Sequence, residues 1–207
     1  MAEPKPPKPQ TPKPANTRAL WIMLAGVSAL MGLSAMGVTM MGRPPGATAA
    51  TAIGGPFRLH TGGGKVVTEA DLRGAPFLVF FGYTHCPDVC PLTLAKMAQV
   101  LKQLGPDARI KALFVTVDPD RDTPDQMADY AGSFDPRIIG LSGDRAEVNA
   151  MLAAYRVYAR KVPTSAGDYT MDHSAVTYLM DRDGKFLRSV NLDRPPEEAT
   201  RDLQAAL

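Results

Sequence analysis

The sequence predicts an α/β sandwich around a mixed central sheet, preceded by one N-terminal transmembrane helix. Three observations carry this expectation. Residues 19–41 (Ala19 to Met41) form a run of 23 with no charge and no proline. Beyond that run, short apolar stretches of strand length alternate with amphipathic stretches of helix length, the order expected of a sheet covered by helices. Near the end, two strand-like runs flank Asp181-Arg182-Asp183-Gly184, a strong hairpin signal that adds antiparallel pairing to an otherwise parallel layout.

Taken in chain order, residues 1–18 carry six prolines, four basic residues (Lys5, Lys8, Lys13, Arg18) and one acid, Glu3. Proline blocks helix and ladder formation and there is no apolar face to bury, so this segment reads as a disordered basic tail. The 23-residue run that follows reaches roughly 35 Å as a helix, enough to cross a hydrocarbon core of about 30 Å. It exceeds the apolar region of a secretory signal, about 7–15 residues. The basic residues precede it and only Arg43 follows closely, which predicts a cytoplasmic N-terminus and an exported remainder. Residues 42–56, rich in Gly, Ala, Pro and Thr, read as a flexible tether.

The tail also accounts for the net charge. The whole chain carries +2, of which residues 1–18 contribute +3, leaving the other 189 residues at −1. That balance speaks of membrane orientation and gives no reason to expect a nucleic-acid partner. Hydrophobic residues make up 45% of the chain, which excludes a disordered protein, and two cysteines exclude a disulfide-stapled mini-domain.

Residues 57–207 are long enough for one domain with a sizeable core. Phe57–Thr61 and Lys65–Thr68 flank three glycines and predict a hairpin. Phe77–Gly82 (FLVFFG) is continuously apolar, as expected of a strand buried on both faces. A helix follows over Cys90–Leu104, with Leu94, Met97, Ala98, Leu101 and Leu104 on one face and Gly105-Pro106 as its stop. Ile110–Val117 is a second buried strand. Thr123-Pro124-Asp125-Gln126 supplies an N-cap, a first-turn proline and a capping-box glutamine for a helix ending near Phe134. Ile138–Leu141 is a short strand, Asp144–Tyr155 a helix and Val157–Val162 extended. Ala175–Met180 and Lys185–Val190 form the closing hairpin, and Glu197–Leu207 is a terminal helix. This order is compatible with a thioredoxin-like fold.

Both cysteines fall within Cys86-Pro87-Asp88-Val89-Cys90, after a buried strand and at a helix entry. Unpaired first-turn N–H groups and the positive end of the helix dipole there favour thiolate over thiol. Three chemistries fit the pair: a structural disulfide, a reversible redox couple, or a soft-metal site. Closing so small a loop removes little unfolded-state entropy, which weakens the first. Two thiolates four residues apart can converge on one ion such as Cu(I) and need a further ligand. Of the three histidines, His60 lies in the first hairpin, with a solvated strand role. His85 adjoins Cys86, with its ring expected to face away from Cys90, a supporting position. His173, in Asp172-His173-Ser174, precedes the strand over Ala175–Met180, whose start faces the cysteine loop in a thioredoxin-like arrangement. Thioredoxin-type reductases carry a cis-proline at that place. Its absence here weakens a dithiol–disulfide exchanger and strengthens a third ligand.

Gly82-Tyr83-Thr84-His85-Cys86-Pro87-Asp88-Val89-Cys90-Pro91 closely resembles the signature of the Sco/SenC copper-binding proteins. So do Val117-Asp118-Pro119-Asp120-Arg121-Asp122-Thr123-Pro124, Ala154-Tyr155-Arg156-Val157-Tyr158 and Asp168-Tyr169-Thr170-Met171-Asp172-His173-Ser174. The resemblance spans about Phe57 to Val190. It implies a thioredoxin-like domain that holds one copper ion, Cu(I) or Cu(II), through Cys86, Cys90 and His173, with His85 and Asp172 as supporting residues. It further implies a metallochaperone and not an enzyme, which serves the binuclear copper centre of cytochrome c oxidase subunit II. The other expected partners are copper donors and thiol reductants. The cysteines would double as a redox disulfide, and a periplasmic thiol–disulfide oxidoreductase is the alternative. The tail lacks an Arg-rich amphipathic transit character, so a bacterial plasma membrane with a periplasmic domain is the expected location. Asp118, Asp120 and Asp122 lack the glycine and terminal glutamate of a calcium loop, and read as a capped turn near the copper face.

Overall fold

The strand Phe77–Gly82 (β3) lies at the middle of a five-stranded sheet, as its unbroken apolar run requires, and every one of its residues is buried. The coordinates are a computed structural model and describe residues 52–165 and 167–207. The expected tail (1–18), the expected membrane anchor (19–41) and the tether up to residue 51 lie outside the described residues. Among the described residues no helix is long and apolar enough to cross a membrane.

Chain order begins with the hairpin of β1 (Arg58–His60) and β2 (Val66–Thr68), paired antiparallel. After β3 come α1 (Val89–Leu104), β4 (Lys111–Thr116), α2 (Pro124–Gly132), β5 (Ile138–Leu141) and α3 (Arg145–Ala154). Then follow β6 (Ala159–Pro163), β7 (Tyr169–His173), β8 (Thr177–Met180), β9 (Phe186–Val190) and α4 (Pro196–Gln204). The sheet order is β5-β4-β3-β8-β9. β3 pairs parallel with β4, β4 parallel with β5, and β8 antiparallel with both β3 and β9, so the sheet is mixed as expected.

Local signals set the helix starts. Thr123 and Asp144 each close a capping box, with Gln126 and Glu147 reaching back, and Pro124 occupies the first turn of α2. The core lies on β3 and β4 and takes in Phe77, Phe80, Phe81, Phe114, Leu94, Leu101 and Met127.

One element departs from expectation. His173 does not sit in a connection leading into β8; it ends a strand of its own, β7, paired antiparallel with β6 from Ala159↔His173 to Pro163↔Tyr169. The segment 168–174 alternates weakly in hydropathy, and its partner strand is mostly exposed, so no buried face marks it in sequence. The placement of the histidine survives the change. Because β8 runs antiparallel to β3, its start at Thr177 lies beside Phe80. The residues just before it therefore reach the end of β3, where the cysteine loop departs.

α2 packs on β5 at very close range. A Cβ added to Gly140 would lie 1.9 Å from the Met127 carbonyl oxygen, a backbone atom that cannot rotate aside. Gly140→Ala is expected to destabilise the domain by about 3 kcal/mol, lowering Tm by roughly 6–12 °C. Thermal unfolding followed by circular dichroism checks this, and an unchanged Tm would show that the helix can be displaced cheaply.

Candidate metal centre

The cysteine loop leaves β3 at Gly82, and this position tolerates no side chain. A Cβ there would meet Cys90 Sγ at 2.6 Å and the Phe114 ring at 2.8 Å. Cys90, in the first turn of α1, is consequently pressed against the strand end with 0% exposure. Cys86 is only half-buried, and both thiols are free. Burial outweighs the helix N-terminus expected to favour thiolate. Loss of hydration pushes the Cys90 thiol far above its usual range, opposed by the backbone N–H of Tyr83 and reinforced by the nearby Cys86.

His173 faces Cys90, with Nε2 3.9 Å from Sγ. The other ring nitrogen, Nδ1, lies 3.2 Å from the Ser174 carbonyl oxygen. A carbonyl can only accept, so Nδ1 carries the proton and Nε2 turns its lone pair towards the sulfur. Burial also depresses the His173 pKa below its ordinary value of 6.5, against the opposing pull of the Ser174 backbone and Asp172, which keeps the ring neutral. An ion with metal–sulfur and metal–nitrogen distances of about 2.3 and 2.0 Å and a trigonal angle sets those donors about 3.7 Å apart. The Cys90–His173 pair is within a few tenths of an ångström of that separation, so the donor pair fits a small soft ion. Cys86 does not complete the set at rest: no three His, Cys, Asp or Glu side chains among the described residues are gathered around one point.

The supporting candidates part ways. Thr84 Oγ1 donates to buried Asp122 at 2.5 Å, and His85 Nδ1 lies 3.0 Å from the same hydroxyl. His85 is thus tied to the cysteine loop through Nδ1 while its side chain stays 50% exposed. Asp172 alternates to the outer face of β7, where it stands 3.9 Å from Arg160 and is 56% exposed. His60 is on the first hairpin, 3.5 Å from Glu147, away from the cysteines.

Sequence reasoning missed the residues that hold these arms. Asp122 accepts from the Thr84 N–H at 3.2 Å and from Thr116 Oγ1 at 2.7 Å, anchoring the cysteine loop. Asp118 accepts from Arg121 Nε at 2.5 Å and from the Tyr169 hydroxyl at 3.0 Å. Arg121 also donates to the Tyr169 carbonyl at 3.1 Å and lies over the Tyr169 ring at 3.8 Å, gripping the start of β7. Lys161 of β6 pairs with Asp120 at 2.5 Å, and that bond, with a second from Arg145, holds the Asp120 carboxyl below its usual range. Tyr83 is buried beside His173. The alternating acids of residues 118–122 were the available signal, and they read as a turn because their partners lie on distant strands.

The family model described as SCO1/SenC matches residues 45–207. The chain belongs to the SCO1/SenC family. Its fold is thioredoxin-like, as in the solved Sco structures it resembles. It matches the structure of Bradyrhizobium japonicum ScoI with copper bound at 57% identity and a TM-score of 0.72, over 75% of this chain and 100% of that one. Arabidopsis thaliana ScoI with copper bound gives 37% and 0.70, over 75% and 98%. Among curated relatives, the human mitochondrial SCO1 homolog is 43% identical over 141 residues, 65% of this chain and 46% of the relative. A SCO2-like protein of Rickettsia felis is 37% identical over 149 residues, 70% of this chain and 73% of the relative. The chain therefore spans about half the length of the mitochondrial SCO1 relatives it matches.

Two outcomes follow from the buried pair. Native, reduced, metal-free protein treated with iodoacetamide is expected to gain one adduct, at Cys86, and a second only after denaturation; prompt native modification of Cys90 would contradict its burial. Acid should also weaken the fold through His173. The unfolded chain binds that proton more readily, so the stability is fully present above about pH 6.5 and is lost as pH falls from there towards the depressed native value. Urea unfolding of metal-free protein across this window should show His173→Gln less acid-sensitive than wild type, and equal sensitivity would count against it.

Proposed function

We propose that this chain is a membrane-anchored copper chaperone that holds one copper ion through Cys86, Cys90 and His173. The observation that carries the reading is the Cys90–His173 pair: a thiol and a neutral imidazole, 3.9 Å apart, with the imidazole lone pair directed at the sulfur. Thiolate and imidazole donors suit copper, and Cu(I) accepts two or three ligands. The structures of the Bradyrhizobium and Arabidopsis ScoI proteins hold copper, which supports the same cargo here. Both cysteines must be reduced to bind as thiolates, so two-electron oxidation to a disulfide, by an oxidant in the compartment, would switch the site off. A Sco protein 25% identical to this chain, BsSco, has a disulfide switch and belongs to a family of cytochrome c oxidase assembly proteins. The client on this reading is the binuclear copper site of cytochrome c oxidase subunit II, with copper donors and thiol reductants as further partners. The uncharged run at 19–41, with its basic tail, supports anchorage in a bacterial plasma membrane with the domain in the periplasm. A thiol–disulfide role at the same cysteines is favoured by one observation, the contrast between accessible Cys86 and buried Cys90.

The test is titration of the reduced protein with Cu(I) and Cu(II). Uptake should approach one ion per chain and be lost in Cys86→Ser and Cys90→Ser. His173→Ala should lower Cu(I) affinity by at least about tenfold and remove nitrogen coupling from the Cu(II) EPR spectrum. Undiminished binding in His173→Ala would refute the ligand assignment. Disulfide reduction that proceeds without copper and survives loss of His173 would favour the reductase role.

A further inference from the structure

Tyr83 follows β3 directly, is buried, and meets all three candidate ligands. Its carbonyl accepts the Cys86 N–H at 3.3 Å. Its own N–H acts on the Cys90 sulfur. Its ring stands nearly perpendicular to the His173 imidazole, at 87° with centroids 5.9 Å apart. Its hydroxyl shares a 2.7 Å hydrogen bond with Thr170 Oγ1 and accepts the Met171 N–H at 3.4 Å. Those last two partners lie in β7, the strand that ends at His173. A buried phenol left without partners is costly, so the hydroxyl and the strand hold each other in place. A phenylalanine would fill the same space and make the same ring contact but would lose this tie between β7 and the end of β3.

We propose that Tyr83 is the positioning residue of this centre: its ring and hydroxyl hold His173 within ligating distance of Cys90. The inference deepens the copper reading and rests on it for the metal. The orientation of the imidazole, however, is a property of the metal-free protein and can be measured without copper. β7 is gripped at its start by Arg121 and Asp118, about 13 Å from His173 along an extended strand. The Ala159↔His173 pairing with β6 fixes the backbone at the other end, but neither that ladder nor the remote grip packs on the imidazole ring. Tyr83 ties the middle of the strand to the end of β3 and packs against the imidazole itself.

The experiment uses the full chain in detergent micelles with Tyr83→Phe and Tyr83→Leu variants. In the metal-free protein, histidines labelled with 13C at Cε1 give separate ring signals, and the His173 signal is identified by its loss in His173→Ala. Both variants should move the His173 signal and leave that of His60 in place; a His173 signal unmoved by either overturns the proposal. Cu(I) affinity should fall about fivefold in Tyr83→Phe, the effect of one hydrogen bond, and further in Tyr83→Leu. In the His173→Ala background the same Tyr83→Phe change should cost less than about twofold. An equal cost in both backgrounds would mean that Tyr83 acts on the fold alone, and would overturn the proposal. Should the leucine variant fail to fold, the phenylalanine variant, which keeps the ring, carries the test. Failure of wild type to take up copper would bring down the copper reading, while the metal-free signals would still decide the role of Tyr83.

Discussion

The site depends on the turn from Asp118 to Asp122, because that turn holds both of its arms. Asp122, with 0% exposure, anchors the cysteine loop through Thr84. Asp118 and Arg121 anchor the start of β7, and Asp120 holds β6 through Lys161. The two arms come from segments some ninety residues apart in sequence, and neither has a long run of ladder hydrogen bonds to the other. Removing one partner from a buried charged pair typically costs about 3–5 kcal/mol, because the remaining charge is left unpaired. Such contacts are poor sources of net stability, yet they tolerate few alternative geometries. That intolerance suits a device that must keep two distant segments at a fixed separation.

The turn is itself placed by the sheet. β4 pairs parallel with β3 through Gly82↔Thr116, so the residues that follow each strand emerge side by side. The Val117 N–H donates to the Gly82 carbonyl at 2.8 Å and extends this pairing to the edge of the site. Thr116 then bonds to the Asp118 N–H and to Asp122, folding the turn back over the strand ends. Gly82 completes the arrangement by leaving room for Cys90. A core built from ordinary apolar strands thus delivers a buried thiol and a carboxylate to one rim.

What the sequence revealed follows the range of the physics involved. β3, α1 and α2 were legible because a continuous apolar run, a helical stripe and a Thr-x-x-Gln pair each act within a few residues. The location of His173 was legible indirectly, through the antiparallel course of β8. β7 was not, since its pairing with β6 buries little and leaves no periodic trace. The work of Arg121, Asp118 and Tyr83 was hidden for a different reason. Each is defined by partners 48 to 88 positions away, and nothing in a local window separates Tyr83 from any other aromatic residue at a strand end. The helix dipole expected to favour thiolate is outweighed at Cys90 for a related reason: the dipole is a local property of the helix start, whereas burial is imposed by the whole packed rim.

That burial bears on how a cargo ion would be held. An isolated thiolate at the Cys90 position would be strongly disfavoured, so the sulfur keeps its proton until a cation arrives to compensate the charge. Cys86, half-buried and beside Cys90, is the more accessible of the two thiols, which makes it the natural point of first contact. On the copper reading, capture at Cys86 precedes deprotonation of Cys90, and the ion then settles against a pair already spaced to receive it. On the same reading, two preorganised donors and a half-buried third would reconcile tight holding with exchange. A site with all three donors fixed and buried would hold the ion equally well but would offer a client no point of attack.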